Sequence, residues 1–190
     1  RQPERLIHMG KCLGCGSDVA PLLDFGEMPI ANGFLKEDEF KMEPFFPLSV
    51  GFCNECALVQ LTQVIDSSKL FHEEYAFFAS TSVRMREHFS EFAEQVSNLL
   101  EGQPDPFVVE IGSNDGIMLQ NFAKSGIRHL GIEPSENVAQ VAIKKGIQTT
   151  SEFFDEALAE KIVSEQGKAD AILAANVMCH IPNLHSVAAG

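Results

Sequence analysis

Two pairs of cysteines constrain this chain more than any other feature. Cys12-Leu13-Gly14-Cys15 and Cys53-Asn54-Glu55-Cys56 are separated by the 37 residues from 16 to 52. Each C-x-x-C sets two sulfurs on one tight turn, and Gly14 is expected to let the first turn bend so that both point inward. Two such knuckles supply four sulfurs, the donor set of tetrahedral zinc. An iron–sulfur cluster is the other occupant that four thiolates admit. A redox pair opens a helix in a thioredoxin-like unit, and neither pair here precedes a helical pattern. With Cys12, Cys15, Cys53 and Cys56 all used as ligands, no coordination position stays open, so the metal is structural. The separation exceeds that of a simple ribbon, so the segment between must fold as more than a hairpin. Cys179 stands apart and reads as a core or pocket-wall residue.

The same region explains why a staple is needed. Glycine and proline punctuate residues 11 to 61, and helical periodicity is missing there. A core so short and irregular does not hold itself together by apolar burial alone. The whole chain, by contrast, is ordinary: 190 residues, 45% hydrophobic and 22% charged, enough for one large domain or two small ones. No apolar run reaches the length of a membrane span, and residues 1 to 10 do not resemble a secretion signal. These features point to the cytoplasm. Lys and Arg number 14 against 27 Asp and Glu, a net charge of −13. That balance disfavours a nucleic-acid partner, which needs a basic face, and suits a small ligand. The chain opens on Arg1 rather than Met, as a segment of a longer protein or an expression remnant would. Oligomeric state is not legible.

From Asp66 the pattern becomes helical. Thr81 or Ser82 is positioned to cap a helix reaching Glu101, with Met85, Phe89, Phe92, Val96 and Leu99 on one face. Gly102, Pro104 and Pro106 end it. Beyond lie alternating elements: strand Phe107 to Ile111, helix Asp115 to Lys124, strand Arg128 to Ile132, helix Ser135 to Lys145, a short strand Ile147 to Thr149, helix Ser151 to Gln166, strand Ala169 to Ala175. Such alternation implies an α/β fold with a parallel sheet. Three divisions follow: a small module over 1–65, a helical connector over 66–106, and the sheet over 107–190.

The first strand runs into Glu110-Ile111-Gly112-Ser113-Asn114-Asp115-Gly116. Glycines there let backbone approach a ligand, and the following helix start offers amides. The spacing is E-x-G-x-x-x-G, not the dinucleotide fingerprint, and it resembles motif I of Rossmann-like methyltransferases, which bind S-adenosylmethionine (SAM). On that resemblance Glu110 or Asp115 engages the methionine ammonium, and Gly112, Asn114 and Gly116 line the cofactor. Glu133 ends the second strand, where an acidic side chain accepts both ribose hydroxyls. Asn176 ends the fourth strand and faces the cleft. Phe153 and Phe154 follow the third strand, where the adenine would sit; either is placed to wall it.

In order, three stretches make the resemblance specific: Cys12 to Ser17, Pro29-Ile30-Ala31-Asn32-Gly33-Phe34, and Gly51 to Leu61. Together with the Glu110 loop and Ala175 to His185, they resemble the C-methyltransferases of deoxysugar biosynthesis over nearly the whole chain. The resemblance implies an incomplete class I methyltransferase sheet preceded by a four-cysteine zinc-binding domain and a helical connector. It implies SAM and structural zinc as cofactors, and methylation at carbon 3 of a nucleotide-linked 4-keto-deoxysugar. His180 matches a family histidine near the reacting carbon, and Tyr75 matches a family tyrosine at the substrate cleft; His185 is placed outside. Further sheet strands, the closing C-terminal domain and a further catalytic histidine and glutamate are expected beyond Gly190. Residues 1–190 alone are therefore expected to be inactive. A methyltransferase with another small-molecule acceptor, and a non-catalytic zinc-bearing binding module, are the alternatives.

Overall fold

The computed structural model describes residues 10–31, 34–72 and 75–190. Asn32 and Gly33 of the quoted family stretch fall outside the described residues. Two compact units emerge, Arg1–Leu70 with Pro182–His185, and Phe71–Ile181 with Ser186–Gly190. Among the described residues no helix is long and apolar enough to cross a membrane.

In the first unit, β1 (Ala20–Pro29), β2 (Phe45–Phe52) and β3 (Val59–Leu61) form an antiparallel sheet in that order. β1 pairs with β2 from Ala20 opposite Phe52 to Pro29 opposite Phe45. Its register slips twice. One slip follows Pro21, which has no amide to donate; the other holds Gly26, whose amide bonds to the Asp24 carboxylate at 2.8 Å. The inter-cysteine segment is thus a long irregular ribbon. The buried apolar cluster here is Cys12, Val19 and Cys53, with Leu58 against it. Two of its three buried members are cysteines, so the metal ligands are also the core.

The second unit holds a four-stranded sheet in the order β6-β5-β4-β7, all parallel. Its strands are β4 (Phe107–Ile111), β5 (Arg128–Ile132), β6 (Thr149–Thr150) and β7 (Ala171–Leu173). The expected α/β alternation is present. Every residue of β4 is buried, as a central strand covered on both faces requires. Val108 joins Phe89, Ala93, Val96 and Leu100 of the α1 region (α1, Val83–Leu99) and Leu119 and Phe122 of α2 (Leu119–Lys124). Phe107 and Val109 turn the other way, to Leu158 and Ile162 of α4 (Glu156–Gln166). Each fully buried side chain of this size contributes roughly 1.5–3 kcal/mol. The two clusters fix the helices against the sheet.

Several boundaries differ from the sequence expectation. Ser82 is the cap of α1, its hydroxyl accepting the Met85 amide. The buried stripe is Phe89, Ala93, Val96 and Leu100, whereas Leu99 is 82% exposed; the last turn rotates Leu100 onto the core instead. α2 is regular only from Leu119, because Gly116 to Met118 completes the loop. α3 spans Glu136–Lys144 with Ser135 at its cap. α4 begins at Glu156, capped by Asp155, whose side chain accepts the Leu158 amide at 2.8 Å. Residues 151–154 are consequently an extended lead-in, not a first turn. β7 stops at Leu173. α5 (Leu184–Ala189) ends the chain. Cys179 is exposed, so it is not a core residue.

Candidate zinc and cofactor sites

The two cysteine knuckles are built alike. The Gly16 amide bonds to the Cys12 carbonyl and the Ala57 amide to the Cys53 carbonyl, both at 2.9 Å. The Cys12 amide meets the Ser17 carbonyl at 2.8 Å, and the Cys53 amide meets the Leu58 carbonyl at 2.9 Å. The left-handed position of each turn is the residue after the second cysteine, Gly16 (φ +76) and Ala57 (φ +61). Gly14 is not in that region; an added Cβ there would sit in ordinary contact with Leu58, Cys12 and Cys56. The expected bend at Gly14 lies two residues further on. Gln60 of β3 ties the first knuckle down. Its Oε1 accepts the Leu13 amide at 2.8 Å, and its Nε2 donates to the Lys11 carbonyl at 3.1 Å.

Cys12 Sγ lies 3.5 Å from Cys56 Sγ, and Cys15 Sγ lies 3.5 Å from Cys53 Sγ. All four sulfurs fall within 4.8 Å of one another. A tetrahedron with Zn–S bonds of about 2.3 Å has edges of about 3.8 Å, so the spacing fits a single ion. Hydrogen bonds from Ser17 draw the Cys15 thiol down to about 6. The Leu58 amide favours the Cys56 thiolate, but the crowding sulfurs, Cys12 first, hold it up at about 12. Four thiolates this close ionise together only around a dication.

The second site lies at the carboxyl ends of β4 and β5. The amides of Gly112 and Ser113 bond to the Ile132 carbonyl, at 2.8 and 3.2 Å, which lays the loop across the end of β5. Gly112 has φ +69 and a Cβ there would press on Val177; Gly116 has φ +77 and a Cβ there would strike Ile147. Both positions require glycine on two counts. Glu110 is buried, and its Oε2 has no hydrogen-bond partner. Burial, reinforced by the Glu133 charge, holds its carboxyl well above the usual range. Glu133 is buried too. Its Oε1 accepts the Ser135 amide at 2.8 Å and its Oε2 the Asn114 amide at 3.0 Å. Burial raises Glu133, and the Ser135 and Asn114 donors counteract part of that rise.

Asn114 sits at φ +49, and its carboxamide is used twice. It accepts the Ala79 amide at 2.8 Å and donates to the Phe77 carbonyl at 3.1 Å. Asp115 is fully committed within the protein: it accepts from the Ser80 amide, the Ser80 hydroxyl and Lys145 Nζ. Of the two acids named for the ammonium, Glu110 is the one with an unpaired buried oxygen. Phe71 brings the other two candidates together. Its ring centroid lies 5.6 Å from that of Tyr75 and 5.8 Å from that of His180. Burial, then the Glu133 charge, raises the Tyr75 phenol above its ordinary value. Asn176 is at φ +57 and exposed. Phe153 is 49% exposed, while Phe154 packs onto the Leu158 and Ile162 cluster.

A family model described as "Methyltransferase domain" matches residues 84–189, and one described as "Putative zinc binding domain" matches residues 12–71. The chain belongs to the methyltransferase-domain family. It is 32% identical over 182 residues to the C-methyltransferase NovU of Streptomyces niveus, covering 95% of this chain and 43% of that protein. The chain thus spans less than half the length of this curated relative. Among solved structures, magnesium protoporphyrin IX methyltransferase (ChlM) from Synechocystis PCC 6803 with bound SAM is 17% identical. That match covers 61% of this chain and 57% of that one, with a TM-score of 0.39.

A methyltransferase domain implies SAM, and a zinc-binding domain with four clustered cysteines implies zinc. The residues present fit both. SAM brings a sulfonium, an ammonium and a ribose diol, and the cradle offers two buried carboxylates for them. Ser113 Oγ, Ser135 Oγ and Asn137 Oδ1 are also buried and unpartnered, which leaves polar capacity for a ligand. Sequence reasoning missed Phe71, Ser80, Ser113, Ser135, Asn137 and Lys145. All but Ser135 act through a partner distant in the chain; Ser135 pairs with Glu133 two residues away. For Ser135 and Asn137 alone was there a local signal, their place in the first turn of α3 beside Glu133.

Proposed function

We propose that this chain supplies the zinc module and the cofactor half of a deoxysugar C-methyltransferase, acting at carbon 3 of a nucleotide-linked 4-keto-deoxysugar. The observation that carries the reading is the likeness to NovU along 95% of the chain, zinc module included. The meeting of Tyr75 and His180 on the Phe71 ring supports it. SAM supplies an electrophilic methyl group on a sulfonium. Glu110 takes the methionine ammonium, and Glu133 the ribose hydroxyls through the lone pairs its two backbone donors leave free. Gly112, Asn114 and Gly116 shape the loop, Phe153 walls the adenine, and Asn176 faces the cleft.

The sugar ketone acidifies the hydrogen on carbon 3. His180, exposed and sharing the Phe71 ring with Tyr75, is the group placed to take that proton, and the electron pair moves onto the ketone oxygen as an enolate. Tyr75 donates a hydrogen bond to that oxygen; a phenol held above its ordinary pKa stays protonated to do so. Bound SAM, held by Glu110, Glu133 and the Gly112-to-Gly116 loop, would supply the methyl group to carbon 3, its S–C electron pair returning to sulfur.

The test uses the gene product that carries these residues, with S-adenosylhomocysteine and the keto-sugar nucleotide in deuterated water. Exchange at carbon 3 is expected, reduced by His180→Gln and Tyr75→Phe. A methyl on oxygen or nitrogen in the product with SAM would overturn the reading in favour of another acceptor. Undetectable binding of S-adenosylhomocysteine would overturn it in favour of a binding module.

A further inference from the structure

Residues 75 to 80 have little regular structure of their own: one short 3-10 turn, Ala79–Thr81, closes them. They are held instead by side chains from the cofactor cradle. Asp115 takes Ser80, and Asn114 takes both Phe77 and Ala79. At the far end Asn137 Nδ2 donates to the Tyr75 carbonyl at 2.8 Å. Asn137 stands two residues beyond Ser135, whose amide Glu133 accepts. A continuous line therefore runs from the Glu133 carboxylate through the first turn of α3 to the Tyr75 backbone.

The carboxamide of Asn137 is costly for packing alone. Its Oδ1 is buried without a partner, which destabilises the fold. An apolar side chain, as at Val138 and Ala139, would fill the space without that cost. Nor does Asn137 cap its own helix; its donor goes to a carbonyl 62 positions away in sequence.

We propose that Asn137 is a positioning residue for Tyr75, fixing the phenol on the acceptor side from the same helix start that serves the cofactor. The inference rests on the role given to Tyr75 above. Its direct readout does not, because the chain has one tyrosine and no tryptophan. Tyrosine emission and phenolate absorbance therefore report Tyr75 by itself.

The variants are Asn137→Ala and Asn137→Asp, the second keeping the shape but losing the donor. In the 190-residue chain both should lower Tyr75 fluorescence anisotropy and move its ionisation toward the ordinary tyrosine value. In the gene product both should lower kcat for the keto-sugar about tenfold or more, with the Kd for S-adenosylhomocysteine changed less than about twofold. Tyr75 anisotropy and titration equal to the parent's in both variants would overturn the proposal. So would cofactor affinity falling in step with kcat, which would make Asn137 a cofactor ligand. If Tyr75→Phe leaves methylation intact, the catalytic role of Tyr75 fails separately, and the spectroscopic response still decides whether Asn137 positions it.

Discussion

Glu133 Oε2 accepts the backbone amide of Asn114 at 3.0 Å, so the acid that follows β5 also fixes the glycine loop that follows β4. The second oxygen fixes the start of α3 through Ser135. One side chain thus sets the spacing of two walls of the cradle. Glu133→Gln turns an N–H toward a donor and should destabilise the protein by roughly 1–3 kcal/mol. Glu133→Ala should do the same. Both should weaken S-adenosylhomocysteine binding by calorimetry. Parent-like melting and parent-like affinity in both variants would reduce Glu133 to a bystander.

Glu110 and Glu133 make a pH prediction whose sign follows from burial. Both carboxyls are raised in the folded state, so the fold binds more protons than the unfolded chain. Their contribution to stability is complete below the ordinary carboxylate pKa and is lost as pH rises through the folded values. A cationic ligand favours the ionised form of Glu110. Binding of S-adenosylhomocysteine, whose ammonium persists, should therefore release protons and tighten as pH rises through that window. Calorimetry in buffers of different ionisation heat measures the release. Glu110→Gln should abolish it, weaken binding, and raise the melting temperature near neutral pH, since a buried charge is no longer demanded. Unchanged proton release in Glu110→Gln would assign it to another group.

The zinc prediction separates the two units. Cys12 and Cys53 are the buried ligands and, with Val19, make up the first unit's buried apolar cluster among the described residues. Chelation, or Cys53→Ser, should unfold that unit, as closed thiolate sites carry their domain's folding energy. The second unit, with its own two clusters, should persist. Hydrogen exchange resolves the two: loss of protection confined to residues before Leu70 is expected. Protection retained there in a metal-free sample would show that the sheet stands without zinc.

How much of this was legible in the sequence follows from the range of the interactions. The C-x-x-C pairs and the β4 run FVVEI are local signals that the structure places as read; the E-x-G-x-x-x-G loop does follow β4, but its helix is regular only from Leu119. The α1 stripe failed at Leu99 because the last turn answers to the core, not to a fixed spacing. α4 started late because Asp155, not Ser151, offered the cap with a free amide three residues on. The strap from Tyr75 to Ser80 was invisible, since its hold depends on Asn114, Asp115 and Asn137. No local pattern around Tyr75 announces a partner 62 residues away.

Gly116 gives the sharpest test of the loop, because two costs can be separated there. Its φ of +77 is a left-handed conformation, and a Cβ would meet the Ile147 side chain and lie 3.2 Å from Ala142 Cβ. Gly126 has φ +71 and open space around the same atom. Gly126→Ala should cost only the dihedral, about 1–2 kcal/mol. Gly116→Ala should cost that plus roughly 1–3 kcal/mol of overpacking. Shortening the obstacle with Ile147→Val in the Gly116→Ala background should return part of the second cost and none of the first. Equal destabilisation of the two alanine variants by denaturant titration would mean that the loop relaxes away from Ile147. The cradle would then be softer than its packing implies.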